Sequence, residues 1–244
     1  MEKVEYKNIF DQEDSHFFYV ALHELVLNLT KKLARRRSLS ILDAGCGTGG
    51  LAIRLSKIGK VRAIDLSSVA VHFARKRGVD VIKASVDRIP FKSGLFDLVV
   101  SIDVLYHRWV KNDTKPLREF IRVIKPGGIL ILRVPALAWL SNSHDKWVWG
   151  VRRFNKGDLK AKLSSAGFKI LVLSYTGAII AGLIMLDGVL RKFTQRGEGG
   201  SGVRKVPKWV NFLFLQILRM ENWLISRFGY LPMGAGIIVV ARKP

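Results

Sequence analysis

Between residues 40 and 134 short apolar runs alternate with helix-like stretches, and the first run empties into a cluster of glycines. That rhythm is the βαβ pattern, and it restricts the chain to few architectures. Ser40–Ala44 reads as a strand, Gly45–Gly50 as a glycine turn, and Leu51–Ile58 as a helix with Leu51, Leu55 and Ile58 on one face. Val61–Leu66 is a second strand, and Ser67 or Ser68 can cap a helix running through Arg77. Val79–Lys83, Phe96–Ile102 and Ile129–Val134 are further strands, with a helix over Thr114–Ile124 before the last of them. Each strand is almost wholly apolar, as expected where helices cover both faces of a sheet. The fold class is therefore α/β: a doubly wound, Rossmann-like, seven-stranded and mostly parallel sheet.

The flanks are less regular. His16–Leu33 reads as an amphipathic helix, Trp139–Arg153 as an aromatic and basic loop, and Lys156–Gly167 as a helix stopped by its glycine. Phe168–Ser174 and Gly236–Val240 complete the seven strands, separated by about 60 residues, far more than a hairpin requires. This gap holds an apolar stretch (Thr176–Leu190), a polar linker (Thr194–Gly202) and an aromatic helix (Lys208–Phe228). The domain reading is one unit: an N-terminal helical region 1–39, a core 40–175, an inserted cap 176–234 and a last strand 235–244. Ile170–Leu190 is long enough to cross a membrane, but the sheet needs its front half as a strand. The Lys208–Phe228 helix suits either a lid over a lipid-like acceptor or an interfacial helix on anionic membrane; packing as a second core is the plainer alternative.

Charge narrows the partners without choosing among them. Forty-one Lys+Arg against 19 Asp+Glu leave +22, concentrated in residues 141–244 while the first forty are close to neutral. Such a surface attracts nucleic acid, anionic headgroups or phosphorylated substrates. Cys46 is the sole cysteine, which excludes an internal disulfide and a cysteine-built zinc site; no metal is expected and a reducing interior is the default compartment. The first residues carry charges and no apolar segment, so a cytoplasmic protein, with or without peripheral contact to a membrane, is the expectation.

The chemistry centres on Asp43-Ala44-Gly45-Cys46-Gly47-Thr48-Gly49-Gly50. Gly45, Gly47 and Gly50 fit the dinucleotide spacing G-x-G-x-x-G, and Asp65 lies about 20 residues on. Asp43 separates the readings: a carboxylate there repels a pyrophosphate but favours a ligand carrying ammonium and sulfonium charge. Three more landmarks follow in order: the acidic Asp65 closing the second strand, Arg88-Ile89-Pro90-Phe91 with Gly94-Leu95-Phe96-Asp97-Leu98-Val99, and Lys125-Pro126-Gly127-Gly128 before the fifth. With them the chain resembles the class I S-adenosylmethionine-dependent methyltransferases. The flanking segments Glu13–Phe18, Ser143-His144-Asp145 with Arg152-Arg153-Phe154, and Gly229–Gly234 resemble a subgroup often associated with glycan and glycolipid assembly.

The resemblance implies S-adenosylmethionine as cofactor and S-adenosylhomocysteine as product. It carries cofactor contacts onto Asp43, Gly45, Cys46, Gly47 and Gly49 at the methionine end, Asp65 and Leu66 at the ribose, Ser85 and Val86 at the adenine, and Ser101 on the fourth strand. The family's aspartate at the adenine falls on Ser85, a departure, with Asp87 two residues later. For the acceptor, Asp103, Tyr106 and His107 follow the fourth strand, and His144, Asp145, Arg152 and Arg153 follow the fifth; a His beside an Asp makes a base, and paired arginines suit phosphate or carboxylate. A nucleophilic cysteine and an Asn/Asp-Pro-Pro-Tyr segment, marks of two base-methylating chemistries, are both missing. The expected function is methyl transfer to oxygen or carbon of a small or lipid-linked, anionic acceptor. RNA methylation, supported by +22 and by Arg35-Arg36-Arg37, is the alternative, and a membrane-associated cofactor binder without transfer is the second.

Overall fold

The computed structural model describes residues 2–34, 38–136, 149–179, 181–182 and 206–244. Arg35–Arg37, the Ser141–Asp145 segment with His144 and Asp145, most of the apolar stretch beyond Thr176, and the Thr194–Gly202 linker lie outside the described residues. The chain runs α1 (Lys3–Gln12), α2 (Phe17–Leu33), β1 (Leu39–Ala44), α3 (Gly50–Leu55), β2 (Gly59–Asp65), α4 (Ser68–Lys76), β3 (Val81–Lys83), β4 (Phe96–Ile102), α5 (Thr114–Val123), β5 (Ile124–Pro135), α6 (Lys156–Ser165), β6 (Lys169–Thr176), α7 (Lys208–Phe228) and β7 (Gly236–Arg242). The strands form one sheet in the order β3-β2-β1-β4-β5-β7-β6. β1 to β5 are parallel, and β7 inserts antiparallel between β5 and β6. The seven-stranded, mostly parallel sheet expected from the apolar runs is the one observed.

Alternation along each strand divides the core between the two faces. On one face Leu42, Val99, Leu130 and Val239 pack with Leu117 and Phe120 of α5 and Leu159 of α6. On the other, Ile41, Leu98, Ile131 and Ile238 meet Leu25 and Leu29 of α2, Leu55 of α3 and Ile225 of α7. The landmarks of the sequence act as fasteners in this frame. Asp97 accepts hydrogen bonds from the Ser40 N–H and the Lys125 ammonium, both at 2.9 Å, tying the starts of β1, β4 and β5 together. The Arg122 guanidinium donates to the carbonyls of Ile89 and Phe91, holding the Ile89–Phe91 segment against α5.

Two elements sharpen the sequence expectation. Residues 3–12, within the expected N-terminal helical region 1–39, form a helix of their own, clamped to α4. Arg77 at the end of α4 donates to the Asp14 carboxylate at 2.5 Å and to the Phe10 carbonyl at 2.9 Å, and its guanidinium lies 4.5 Å from the Phe10 ring. The second is α7, whose helical bounds match the expectation, but which packs behind α2 and β6. It covers no part of the cavity described below, so the lid reading is replaced by one in which α1 and the start of α2 form the cover.

Phe120, fully buried between α5 and the sheet, tests the larger core. Phe120→Ala is expected to lower the unfolding free energy by about 3–5 kcal/mol, measured by denaturant titration.

Candidate active site

The strand order reverses between β1 and β4, and a ligand crevice is expected outside the carboxyl ends of the strands at that point. A cavity of about 930 Å³ opens there. One end is built on the glycine turn. Gly45 and Gly47 both adopt positive φ, and a Cβ at Gly45 would stand 2.2 Å from Val104, so the turn can close only with glycine. The Gly45 and Cys46 N–H groups donate to the Ile64 carbonyl, keeping the turn against the end of β2.

Three carboxylates converge on this turn. Asp65 accepts the N–H of Gly47 at 2.9 Å and of Ser67 at 2.8 Å, leaving its remaining lone pairs toward the cavity. Asp43 is buried, and its Oδ2 has no hydrogen-bond partner among the described residues. Burial, reinforced by the charges of Glu13 and Asp65, pushes its carboxyl up to about 8. Glu13, from the joint between α1 and α2, accepts from the Thr48 hydroxyl and from the Gly50 N–H at 3.1 Å, and pairs with Arg77 at 3.3 Å. It fits because residue 50 has no side chain; a Cβ there would lie 2.2 Å from the Glu13 carboxyl carbon. Burial raises the Glu13 and Asp65 carboxyls and the Cys46 thiol as well.

The expected cofactor residues divide. Asp43, Gly45, Cys46, Gly47, Asp65, Leu66, Ser85 and Val86 all line the cavity. Ser101 and Gly49 do not. Ser101 is fully buried and donates to the Ala44 carbonyl, so it ties β4 to β1; Gly49 caps α3 at φ +87° and packs on Ala74 and Val79. The Ser85 hydroxyl already accepts the Asp87 N–H at 3.1 Å but keeps its own proton to donate, and Asp87 stays off the cavity wall.

The far end of the cavity is aromatic and basic. Phe18 and Tyr19 of α2 face Asp103, Tyr106, His107 and Val110 beyond β4, with Trp109, Trp149 and Arg153 at the rim. Asp103 holds φ +54°, rare for a residue with a Cβ, and forms an ion pair with Arg133 of β5. Arg133 is 6% exposed and lies 5.3 Å from the Phe18 ring, and its Nε has no partner among the described residues. His107 Nδ1 is likewise buried without a partner, and burial lowers its imidazole to about 4, so the ring is neutral at physiological pH. Of the acceptor residues expected from sequence, Asp103, Tyr106, His107 and Arg153 reach the cavity, Arg152 does not, and His144 and Asp145 lie outside the described residues. Glu13, Tyr6, Phe18, Tyr19 and Arg133 carry no site role in the sequence reading. Arg133 had a signal, being the one charge inside the otherwise apolar Ile129–Val134.

Residues 41–128 match the family described as "Methyltransferase domain". The sterol 24-C-methyltransferase of Pneumocystis carinii is 26% identical over 258 residues, covering 90% of this chain and 60% of that protein. A probable S-adenosylmethionine-dependent methyltransferase of Mycobacterium tuberculosis is 29% identical over 161 residues, covering 64% of this chain and 57% of the relative. The chain thus spans somewhat over half the length of these relatives. Among solved structures, a methyltransferase of Thermotoga maritima described as a possible histamine N-methyltransferase superposes with a TM-score of 0.61 at 19% identity, over 98% of this chain and 95% of that one, and shows the shared fold. Residues 41–128 are thus a methyltransferase domain, in a chain similar to S-adenosylmethionine-dependent methyltransferases.

The residues present fit that cofactor. An unpartnered buried carboxylate at Asp43 suits an ammonium group, and Asp65 at the end of β2 suits ribose hydroxyls. Because Asp43 titrates near 8 in the free protein, taking up a cation requires it to lose a proton. Affinity for S-adenosylmethionine is expected to fall as pH drops below about 8, by up to about tenfold per pH unit, read by titration calorimetry across pH. Stability of the free protein runs the other way. A carboxyl raised from 3.8 to about 8 makes the folded state hold an extra proton across that window, so its contribution declines as pH rises through it. Asp43→Asn is expected to abolish both trends and to weaken cofactor binding about 10–100-fold.

Proposed function

We propose that the protein transfers a methyl group from S-adenosylmethionine to an oxygen or carbon atom of a small or lipid-linked acceptor that bears an anionic group. The observation that carries this reading is Arg133, a guanidinium buried in the cavity wall beyond the cofactor end, half-neutralised by Asp103 and flanked by the Phe18 ring. A buried arginine presents a planar fork that matches carboxylate or phosphate. Asp103 offers the counter-charge that holds the fork in place until an acceptor anion shares it. The sterol relative adds support for a lipid-like body, since Phe18, Tyr19, Val110 and Trp109 give this end apolar walls.

When bound, the cofactor supplies an already activated methyl. The chain's own task is to orient the acceptor and exclude water. α1 and the first turn of α2 cover the cavity, and the Glu13 contacts hold that cover against the glycine turn. His107, whose Nδ1 has no partner among the described residues, can accept a hydrogen bond from an acceptor hydroxyl and so orient it, since burial leaves the imidazole too weak a base to remove the proton efficiently at neutral pH.

The test is methyl-labelled S-adenosylmethionine offered with three acceptor pools: lipid phosphates, small carboxylates and sugar phosphates, and total RNA. Label is expected in one of the first two pools. Arg133→Met should raise the acceptor KM about tenfold or more while cofactor affinity is unchanged. Label confined to RNA, or an Arg133→Met protein with an unaltered KM, would contradict the reading.

A further inference from the structure

We propose that the outer face of α7 docks on an anionic membrane surface, with the helix lying in the plane of the interface. α7 has 21 residues, about 30 Å of helix. Its inner face is fully engaged. Leu218 and Ile225 are buried, the Asn222 amide donates to the Ala21 carbonyl at 2.7 Å, and Arg219 pairs with Glu24 of α2. The outer face carries Trp209, Phe212, Leu213, Met220 and Trp223, spaced so that they form one stripe, and all are exposed, from 71% at Trp209 to 49% at Leu213. A stripe of this length and size is unlike the scattered apolar residues of an ordinary surface.

Charge selects the occupant. The lone acid of α7, Glu221, is turned inward, where it accepts the N–H groups of Gly177, Ala178 and Ile179. The exposed side keeps Lys208 and Arg227 beside the stripe, in a chain of net charge +22. Two tryptophans with flanking cations, on a helix whose one acid is turned inward, complement anionic headgroups over an acyl layer. A protein partner would need a matching apolar face, and nothing about the stripe's charges requires one. Among the described residues no helix is long and apolar enough to cross a membrane, so α7 is assigned to the interface and not to the interior.

The face is also joined to the cavity. Asn211 of α7 accepts the Phe17 N–H at 2.8 Å and donates to the Ser15 carbonyl at 2.9 Å, and the Phe214 ring lies 5.2 Å from that of Phe17. Phe18 and Tyr19, the next two residues, line the acceptor end. Docking therefore bears on the helix that covers the site, yet it stands on its own whatever the acceptor proves to be.

The experiment is flotation of the full chain with vesicles of phosphatidylcholine alone and of equal parts phosphatidylcholine and phosphatidylglycerol, at low and high salt. The wild-type protein is expected to float with the mixed vesicles, less so at high salt, and poorly with phosphatidylcholine alone. The triple variant Trp209→Ser, Phe212→Ser, Trp223→Ser should partition about tenfold or more weakly, with unchanged circular dichroism and cofactor affinity. Failure of the wild-type protein to float, equal flotation of the variant, or a concentration-dependent dimer that the variant abolishes would each overturn the proposal. The last would assign the face to a second copy of the chain.

Discussion

Three carboxylates, Asp43, Asp65 and Glu13, meet at a glycine turn at one end of the cavity, where burial raises all three, and each is answered differently. Asp65 is satisfied by two backbone N–H groups, and Glu13 by a hydroxyl, an N–H and Arg77. Asp43 is left with an unpartnered oxygen and meets the situation by holding its proton. Such a site has a standing deficit of positive charge. It suits a cationic, hydroxyl-bearing ligand and rejects a pyrophosphate, which separates this turn from the dinucleotide-binding turns whose glycine spacing it shares.

The same carboxylates organise the cover. Glu13 closes the start of α3 from a position 37 residues away in sequence, and Arg77 grips Glu13, Asp14 and Phe10 together. α1 therefore owes its place to the electrostatics of the glycine turn more than to its own weak amphipathicity. At the other end of the cavity, Asp103 accepts a left-handed backbone to reach Arg133, and that pair stands in the cavity wall beyond the glycine turn. The sheet supplies the rigid frame on which both ends depend: carboxyl ends of β1 and β2 for one, of β4 and β5 for the other.

Much of this was legible in the sequence, for physical reasons. Strands buried on both faces must be apolar throughout, so β1, β4 and β5 announced themselves, and Phe96–Ile102 appears with the bounds its residues suggest. The Gly45–Gly50 turn and Asp65 were equally plain, because only glycine permits that backbone and only a strand end places that carboxylate. Roles that depend on tertiary partners were hidden. Glu13 looks like any acid in a charged segment until residue 50 is seen to leave room for it, and α1 has no signal without Arg77. Ser101 reads as a polar residue at a strand end, but its hydroxyl faces the neighbouring strand. Arg133 could have been found, since a charge inside Ile129–Val134 must be paired or functional.

The central claim is that this pocket is built for a cationic nucleoside. The most direct measurement is calorimetric titration of the protein with S-adenosylmethionine, S-adenosylhomocysteine and NAD, alongside Asp65→Ala. Micromolar binding of the first two, absence of NAD binding, and loss of about tenfold or more in affinity in the variant are the predicted result. Binding of NAD in place of the sulfur nucleosides, or affinity indifferent to Asp65, would contradict it.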